Sequence, residues 1–549
     1  MTRLAYLRFS ALAALLIVWF IGALPMHAAD DNRPRLVVMI VVDQMRADFV
    51  DRFQDDWSAG LKRLVKGGAW FQHAAYPYLE TVTCAGHATV ATGAFPHKHG
   101  IFQNVWYDRD RHGNIACTTD LDESARPLRY DEKPSSSRGT PEPGNSAARL
   151  MLPTFGDRMR EAKGAHVVSL SIKERSAIML AGHGGDAVTW LSNTLDSWQT
   201  TFAFAKQPVD AVRDYVRAHP IDADRGKEWQ RLLPAGRYQG PDDGDGEAPP
   251  RGWTRSFPHV LDRRDSEFYS QWETSPFADE YVGAFGAALA ESLALGRHDT
   301  TDVLGISFSS PDLVGHAFGP DSHEVRDMFA HLDRTLGALF DRLDTLVGPG
   351  RYIVALTSDH GVTPLPEQAK GRDAGRIDGR AISAAIERAA TDVLGAGPHI
   401  ARMNNTDVYF APGHYERLAI QPKDVEHVVD AVRRIQGVAD VFRREELADP
   451  SAPGTALRHA AALSYVPNRT GDLIIAPKPG WIFAGNGTTH GSANPDDQHV
   501  PILLMGPGIK TGRYEQASTP ADIAPTLAEI SGISMPDAEG RVLREALQK

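Results

Sequence analysis

The sequence predicts an α/β fold with a doubly wound, mostly parallel sheet, and two features of the chain support this. Short, mostly apolar runs rich in β-branched residues are typical of strands buried on both faces of a sheet. Such runs occur at Leu36 to Val42, His166 to Ile172, Val303 to Phe308, Tyr352 to Leu356, Leu473 to Ala476 and Pro501 to Met505. Amphipathic helical stretches separate the runs, and this alternation predicts parallel pairing.

The clearest helical stretch lies between the third and fourth runs, where one apolar stripe recurs every three or four positions. Its members are Val325, Met328, Leu332, Leu336, Leu339, Phe340 and Leu343. Two segments fall outside the alternation: residues 130–146, rich in Ser, Pro and Gly, and residues 220–275, with several Trp and the run Pro-Asp-Asp-Gly-Asp-Gly-Glu. We interpret both as excursions from the core rather than linkers, and expect the second to overhang the functional site.

The first 29 residues have the pattern of a secretory signal peptide. Arg3 and Arg8 precede an apolar stretch from Ala11 to Leu24, which fits a signal core and is short for a membrane span. Small residues at Ala28 and Ala29 follow. The sequence therefore predicts export to the periplasm or the medium, without stable membrane association after cleavage; an uncleaved anchor is the alternative.

Charge and cysteine content narrow the class of protein. Removing the signal with its two Arg residues moves the formal net charge from −12 to −14, which argues against nucleic acid as a partner. Cys84 and Cys117 are the two cysteines, and an oxidising compartment leaves open either one bridge or two buried thiols. The remaining length suits two to four domains or one large α/β domain with insertions. The oligomeric state stays open.

Polar side chains follow several predicted strands, where an open α/β sheet binds its ligands. Three Asp and three His of this kind are Asp43, Asp312, His316, Asp359, His360 and His490, and Lys173 and Arg175 follow another strand. Together, the six Asp and His provide enough nitrogen and oxygen donors for two divalent metals. Such mixed donor sets suit zinc.

A hydroxyl side chain stands at a predicted helix start. Thr83 is followed by Cys-Ala-Gly-His, small residues that can begin a helix and leave backbone N–H groups aimed at an anion. An ordinary helix N-cap is the alternative role for Thr83. Thr81 is the rival hydroxyl in the same run.

At these residues the chain resembles the alkaline phosphatase superfamily, and within it the threonine-nucleophile enzymes of the PafA type, in a family with type I phosphodiesterases and nucleotide pyrophosphatases. The matching segments are Val42-Asp43-Gln44-Met45-Arg46, Thr83-Cys84-Ala85-Gly86-His87, His99-Gly100-Ile101 with Asn104, Lys173-Glu174-Arg175, Asp312 with His316, Ser358-Asp359-His360-Gly361 and Thr489-His490-Gly491-Ser492. The resemblance spans nearly the whole mature chain, ending in Ala521-Asp522-Ile523-Ala524-Pro525-Thr526, and implies one alkaline phosphatase-like catalytic domain over residues 30–549 with cap-like insertions. Cys84-Ala85 departs from the Gly-Pro expected there.

The resemblance also implies a two-zinc site that hydrolyses small-molecule phosphate monoesters. One zinc would be held by Asp312, His316 and His490, and the other by Asp43, Asp359 and His360. Thr83 would contact the second zinc and become phosphorylated during turnover. The resemblance leaves Asn104, Lys173 and Arg175 to bind the non-bridging phosphoryl oxygens.

Three other interpretations remain. A phosphodiesterase of the same superfamily would keep the ligands and the Thr, but Lys173 and Arg175 favour a monoester, unless both are solvated surface charges. A sulfatase would need Cys-x-Pro-Ser-Arg, whereas Cys84 is followed by Ala-Gly-His. A non-catalytic, metal-stabilised binding protein would have to retain hydroxyl, ligands and cations by coincidence.

Overall fold

The structure is a computed structural model that describes residues 33–130, 144–192, 195 and 197–548. The predicted signal peptide, residues 1–29, lies outside the described residues, as does most of the excursion at 130–146. Among the helices of the described part, none is long and apolar enough to cross a membrane.

The strands, in chain order, are β1 (Leu36–Val42), β2 (Ala69–Phe71), β3 (Val105–Asp108), β4 (Gly113–Ala116), β5 (Thr119–Asp120), β6 (Pro127–Arg129), β7 (Gly144–Asn145), β8 (Val167–Ser171), β9 (Ala187–Leu191), β10 (Trp198–Thr201), β11 (Glu228–Trp229), β12 (His259–Val260), β13 (Asp302–Phe308), β14 (Tyr352–Thr357), β15 (Gly375–Arg376), β16 (Ile400–Asn404), β17 (Asp407–Phe410), β18 (Val438–Arg443), β19 (Leu473–Pro477), β20 (Trp481–Ile482), β21 (Ile502–Met505) and β22 (Gly512–Tyr514).

The α-helices, in chain order, are α1 (Asp48–Phe53), α2 (Gly60–Gly67), α3 (Thr83–Thr92), α4 (Pro96–His99), α5 (Phe155–Lys163), α6 (Glu174–Ala181), α7 (Asp210–Ala218), α8 (Asp265–Glu273), α9 (Pro276–Ser292), α10 (Ser310–Phe318), α11 (His323–Leu346), α12 (Gly379–Leu394), α13 (His414–Ala419), α14 (Pro422–Arg433), α15 (Arg444–Leu447), α16 (Ala456–Ser464), α17 (Pro495–Gln498) and α18 (Ile523–Ser531).

A large central sheet carries the fold, and in the described residues its strand order is β22-β2-β21-β14-β1-β13-β8-β9-β10-β6. The five strands from β14 to β9 are parallel. Antiparallel strands flank them, because β21 runs against β14 and β10 runs against β9. The predicted α/β fold with a mostly parallel sheet is therefore confirmed.

Helices cover both faces of this sheet, as a doubly wound fold requires. Successive residues of β1 point to opposite faces: Val38 and Ile40 pack in one apolar cluster with α11, whereas Val37 and Met39 pack in another with α5 and α18. All seven residues of β1 are buried. This two-sided burial explains why the strand is a continuous apolar run.

A second sheet, which the sequence did not predict, lies in residues 400–477. Its strands pair in the order β16-β17-β19-β18, all antiparallel, and α12 and α14 pack on it. The prediction that Leu473 to Ala476 belongs to the main sheet is wrong, because these residues form β19 in the second sheet. β19 is buried on both faces, with Leu473 and Ile475 in one cluster and Ile474 and Ala476 in another, so it looks like a central parallel strand.

The excursion at 220–275 contains a two-stranded ribbon, β11 and β12, followed by α8. Trp229 in this excursion is buried, and its Nε1–H donates to Asp327 on α11 over 2.7 Å. The backbone N–H of Leu232 donates to the same carboxylate over 2.7 Å. The excursion is therefore anchored on the longest helix of the core.

The contact between α2 and α11 depends on a glycine. A Cβ at Gly60 would lie 2.4 Å from the Cβ of Leu336 and 2.5 Å from the backbone nitrogen of Gly337. Gly60→Ala must therefore separate two packed helices, and we expect it to lower stability by about 1–3 kcal/mol, the usual cost of overpacking. The measurement is the denaturant midpoint by circular dichroism. Gly236→Ala is the matched control, because its Cβ meets nothing within 4 Å. An unchanged midpoint for Gly60→Ala would contradict the packing.

Candidate active site

Four adjacent parallel strands, β14, β1, β13 and β8, bring polar residues to one edge of the main sheet. Asp43 directly follows β1, Asp359 comes just after β14, Asp312 lies in the first turn of α10 after β13, and Lys173 follows β8. Each of these side chains is at least 90 % buried. The sequence prediction that these residues meet at strand ends thus agrees with their positions.

The buried acids are partly neutralised by a lysine. The Lys173 Nζ donates to Asp43 Oδ2 over 2.7 Å and to Asp312 Oδ2 over 2.5 Å. Burial disfavours the charged lysine, but the two carboxylates outweigh it and raise the pKa of Lys173. Burial, together with the neighbouring carboxylates of Asp312 and Asp359, raises the pKa of Asp43 to about 6. The site therefore concentrates negative charge beyond what one lysine balances.

The three predicted histidine ligands share one arrangement: each uses Nδ1 as a donor to a backbone carbonyl. These bonds run from His316 to Thr488 (2.7 Å), from His490 to Thr81 (2.8 Å) and from His360 to Gly361 (2.9 Å). A carbonyl can only accept, so Nδ1 carries a proton, and in the neutral imidazole Nε2 keeps the lone pair that a metal would use. Burial and the stacked ring of His490 lower the pKa of His360, which keeps its imidazole neutral.

The ligand atoms form two compact groups, Asp312 with His316 and His490, and Asp43 with Asp312 and His360. Within each group these atoms lie within 4.8 Å of one another. Asp312 belongs to both groups, whereas the sequence assigned it to one. The sequence placed Asp359 in the second group, and its Oδ2 lies 3.3 Å from His360 Nε2.

Three buried acceptor atoms meet at the second group without a hydrogen-bond partner among the described residues. They are Asp43 Oδ1, Asp359 Oδ2 and His360 Nε2. A buried polar atom left unpaired is costly, and acceptor atoms gathered around His360 Nε2 suit a cation bound between them. The donor set of carboxylate oxygens and neutral imidazoles therefore fits a divalent metal.

Thr83 is the first residue of α3, and it is buried. Val82 occupies the N-cap position in extended conformation, so the alternative in which Thr83 is the N-cap is wrong. The rival Thr81 is fully buried, and its hydroxyl donates to the carbonyl of Ser492 over 2.9 Å. Thr83 thus stands where the positive end of the helix dipole favours an anion.

α3 is held directly against the metal-ligand groups. His87 Nδ1 lies 2.9 Å from the Thr83 carbonyl oxygen and 3.3 Å from Asp359 Oδ2. A Cβ at Gly86 would lie 2.1 Å from the Asp359 backbone oxygen, so only glycine allows this approach. The predicted nucleophile and the predicted ligands therefore share one site.

Asn104 and Arg175 complete the set of predicted site residues. Asn104 Oδ1 accepts a hydrogen bond from the Cys84 backbone N–H over 2.8 Å, which leaves its Nδ2 as a donor. The Arg175 guanidinium lies 3.6 Å from Glu174, and its Nε is buried without a partner in the described part. Lys173 is 7 % exposed, so the alternative in which it is a solvated surface charge is wrong.

Two residues of the site were not predicted from the sequence. Gln44 has a φ of 68°, and it bridges two ligands, since its Nε2 donates to Asp312 over 2.7 Å and its backbone N–H donates to Asp359 over 3.2 Å. Its position directly after a strand-end Asp was the available signal. Glu273, at the end of α8, has its pKa raised to about 7 by burial, against the opposing charges of Lys173 and Arg175.

A family model described as type I phosphodiesterase / nucleotide pyrophosphatase matches residues 37–499. The chain belongs to this family. Alkaline phosphatase PafA of Elizabethkingia meningoseptica is 30 % identical over 98 % of both chains. Alkaline phosphatase PhoV of Synechococcus elongatus is 29 % identical over 94 % of this chain and 93 % of its own. The resemblance to PafA-type members of the type I phosphodiesterase family is therefore confirmed.

Solved structures agree with this family membership. The crystal structure of wild-type PafA matches with a TM-score of 0.85 and 30 % identity, over 94 % of this chain and 99 % of that chain. The structure of murine ectonucleotide pyrophosphatase/phosphodiesterase 5 matches with a TM-score of 0.53 at 15 % identity, over 93 % and 100 %. The second likeness supports the fold alone. The alkaline phosphatase-like fold predicted from the motifs is thus confirmed for this family member.

The shared position of Asp312 leads to a prediction about metal content. Asp312→Ala removes a donor from both ligand groups, whereas His316→Ala removes a donor from one. We expect Asp312→Ala to lower bound divalent metal per chain more than His316→Ala, measured by inductively coupled plasma mass spectrometry after gel filtration. Asp51→Ala, at an exposed acid on α1, is the control and should retain the parent content. Equal losses in Asp312→Ala and His316→Ala would contradict the sharing.

Proposed function

We propose that this protein is an alkaline phosphatase that hydrolyses small-molecule phosphate monoesters through a covalent phosphothreonine at Thr83, in a two-zinc site. The observation that carries the proposal is that α3 begins at Thr83 and its Gly86 packs against the backbone of Asp359, while His490 donates to the Thr81 carbonyl just before the helix. The names of the full-length relatives PafA and PhoV support the same activity.

The two ligand groups would hold the zinc ions. Asp312, His316 and His490 would bind one zinc, and Asp43, Asp359 and His360 would bind the other, with Asp312 also close to the second set. Zinc bound there would supply Lewis acidity, which polarises the reacting oxygens and offsets the charge that develops in the transition state. The carbonyl partners of the three histidines orient the Nε2 atoms for this task.

The chain's own residues account for the bond changes. The Thr83 hydroxyl gives its proton to solvent, and its oxygen attacks phosphorus, so that the Oγ1–P bond forms while the bond to the ester oxygen breaks; the ester oxygen takes a proton from solvent and leaves as the alcohol. Water then attacks the phosphothreonine and gives up a proton to solvent, the Oγ1–P bond breaks, Thr83 Oγ1 regains a proton from solvent, and orthophosphate is released. Apart from that of Cys84, which is bonded to Asn104, the backbone N–H groups at the start of α3 would face the phosphoryl group.

Asn104 and Arg175 would bind the non-bridging phosphoryl oxygens. Asn104 offers Nδ2 because its Oδ1 is already bonded to Cys84. The planar guanidinium of Arg175 has a buried Nε with no partner in the described part, and it can make two parallel bonds to an anion. Lys173 would contribute positive charge from its place between Asp43 and Asp312.

A phosphodiesterase or nucleotide pyrophosphatase is the second candidate, favoured by the description of the family itself. Such an enzyme would use the same Thr83 and the same metal ligands. The distinction lies in the third phosphoryl oxygen, which is charged in a monoester and carries a carbon group in a diester. Arg175 aimed at that oxygen favours the monoester.

We also infer that the protein is exported, to the periplasm or the medium. The apolar stretch from Ala11 to Leu24 after Arg3 and Arg8 supports this inference. The disulfide between Cys84 and Cys117 also supports it, because such bonds persist in oxidising compartments.

Replacement of Thr83 tests the nucleophile. Thr83→Ser keeps a hydroxyl at the start of α3 and should retain part of the turnover of an aryl phosphate, whereas Thr83→Ala should lose at least about a thousandfold. Rapid acid quenching of the parent protein with labelled substrate, followed by peptide mapping, should locate the phosphoryl group on Thr83. Equal losses in the two variants, or a label on Thr81, would contradict the assignment.

Arg175 tests the substrate class more cleanly than Lys173, because Lys173 also contacts two metal-ligand carboxylates. We expect Arg175→Ala to lower kcat/KM for an aryl phosphate monoester by about 10- to 150-fold, the worth of a hydrogen bond to a charged group. The kcat/KM for the matching diester should stay within about threefold of the parent. Arg417→Ala, at an exposed position of α13, is the control. If both substrates fall together, or neither falls, the phosphodiesterase interpretation replaces this one.

A further inference from the structure

A disulfide joins the start of α3 to the segment that carries Asn104. Cys84 is the second residue of α3, next to Thr83, and it is bonded to Cys117, which follows β4. Both cysteines are buried. The two alternatives left open by the sequence are thereby decided in favour of one bridge. Cys84 is also one of the two positions where the chain departs from the Gly-Pro expected by resemblance.

Both cysteines of the bridge hydrogen-bond to Asn104, one to its side chain and the other to its main chain. The Cys84 backbone N–H donates to Asn104 Oδ1 over 2.8 Å, and the Cys117 backbone N–H donates to the Asn104 carbonyl over 2.9 Å. The covalent bond between the two cysteines closes the ring formed by these contacts. Pairing of Val105 with Ala116 in the β3–β4 ribbon continues from the same point.

The ring fixes which face of the Asn104 amide is available. With Oδ1 accepting from Cys84, the Nδ2 group is the remaining polar end of the side chain, and it can only donate. The donor therefore keeps a fixed relation to the first turn of α3, where the predicted nucleophile Thr83 lies. Even a small displacement of a hydrogen-bond donor from the charge that develops in the transition state lowers the reaction rate strongly.

We propose that the Cys84–Cys117 disulfide is a positioning device that holds Asn104 Nδ2 in register with Thr83 for phosphoryl transfer. This inference rests on the proposed function. The cysteines touch neither substrate nor metal in this proposal; they act through Asn104. A disulfide that served only to stabilise the fold would support every residue of the site equally.

A double-mutant cycle separates the two roles. Cys84→Ala with Cys117→Ala is made in the parent chain and in the Asn104→Ala chain, and kcat/KM is measured with an aryl phosphate monoester. In the parent chain, we expect removal of the bridge to lower kcat/KM by about 10- to 100-fold, the effect of a small misplacement of a catalytic group. In the Asn104→Ala chain its removal should change kcat/KM by less than about threefold.

Thr118→Val is the matched control. Thr118 is next to Cys117 and buried, and its hydroxyl donates to Asn145 rather than to Asn104, over 2.9 Å. Thr118→Val should lower the melting temperature, yet change kcat/KM by the same factor in the parent chain and in the Asn104→Ala chain. The single variant Cys117→Ala provides the comparison if the double variant does not accumulate as folded protein. Inhibition by orthophosphate should weaken in parallel with kcat/KM.

The outcomes are distinct. A loss confined to the chain that retains Asn104 supports the proposal. An equal loss in both backgrounds, or no loss in either, overturns it while leaving the proposed phosphatase function intact. If Asn104→Ala alone leaves kcat/KM unchanged, the role of Asn104 in the proposed function fails, and the positioning role of the disulfide is overturned with it.

Discussion

The crowding of buried carboxylates at one sheet edge is the constraint on which the rest of the structure depends. Because β14, β1 and β13 are parallel neighbours, Asp359, Asp43 and Asp312 must meet where these strands end. Three acids buried together repel one another and lose their hydration, and the raised pKa of Asp43 reflects both effects. Such a cluster persists only if nearby groups supply positive charge and hydrogen-bond donors.

Much of the surrounding architecture supplies that compensation. Lys173 places its ammonium between Asp43 and Asp312, and Gln44 links Asp312 to Asp359 through its side-chain amide and its backbone N–H. His316 and His490 are oriented by carbonyls from distant segments and His360 by the carbonyl of its neighbour Gly361, so the backbone sets the orientation of these rings. Rigid second contacts of this kind are what keep a multi-residue site in register.

The sequence was informative where a residue's environment follows from local pattern. Apolar runs identified β1 and β13, and polar residues after them identified Asp43 and Asp312. The sequence did not predict which sheet a strand joins, because tertiary contacts determine this. β19 has the composition of a strand from the main sheet because apolar clusters cover both of its faces. The positive φ of Gln44 and the pairing of Cys84 with Cys117 depend on groups far along the chain, which no local pattern encodes.

The second sheet is inserted between the segments that supply His360 and His490. The two ends of that insertion are joined, since the Thr488 hydroxyl donates to the Thr363 carbonyl and Asn494 Nδ2 donates to the Thr363 hydroxyl over 2.6 Å. Because these contacts close the insertion at its base, its length and surface can vary while the two ends keep their relative positions. Changes within the insertion can therefore accumulate while the spacing between His360 and His490 is preserved.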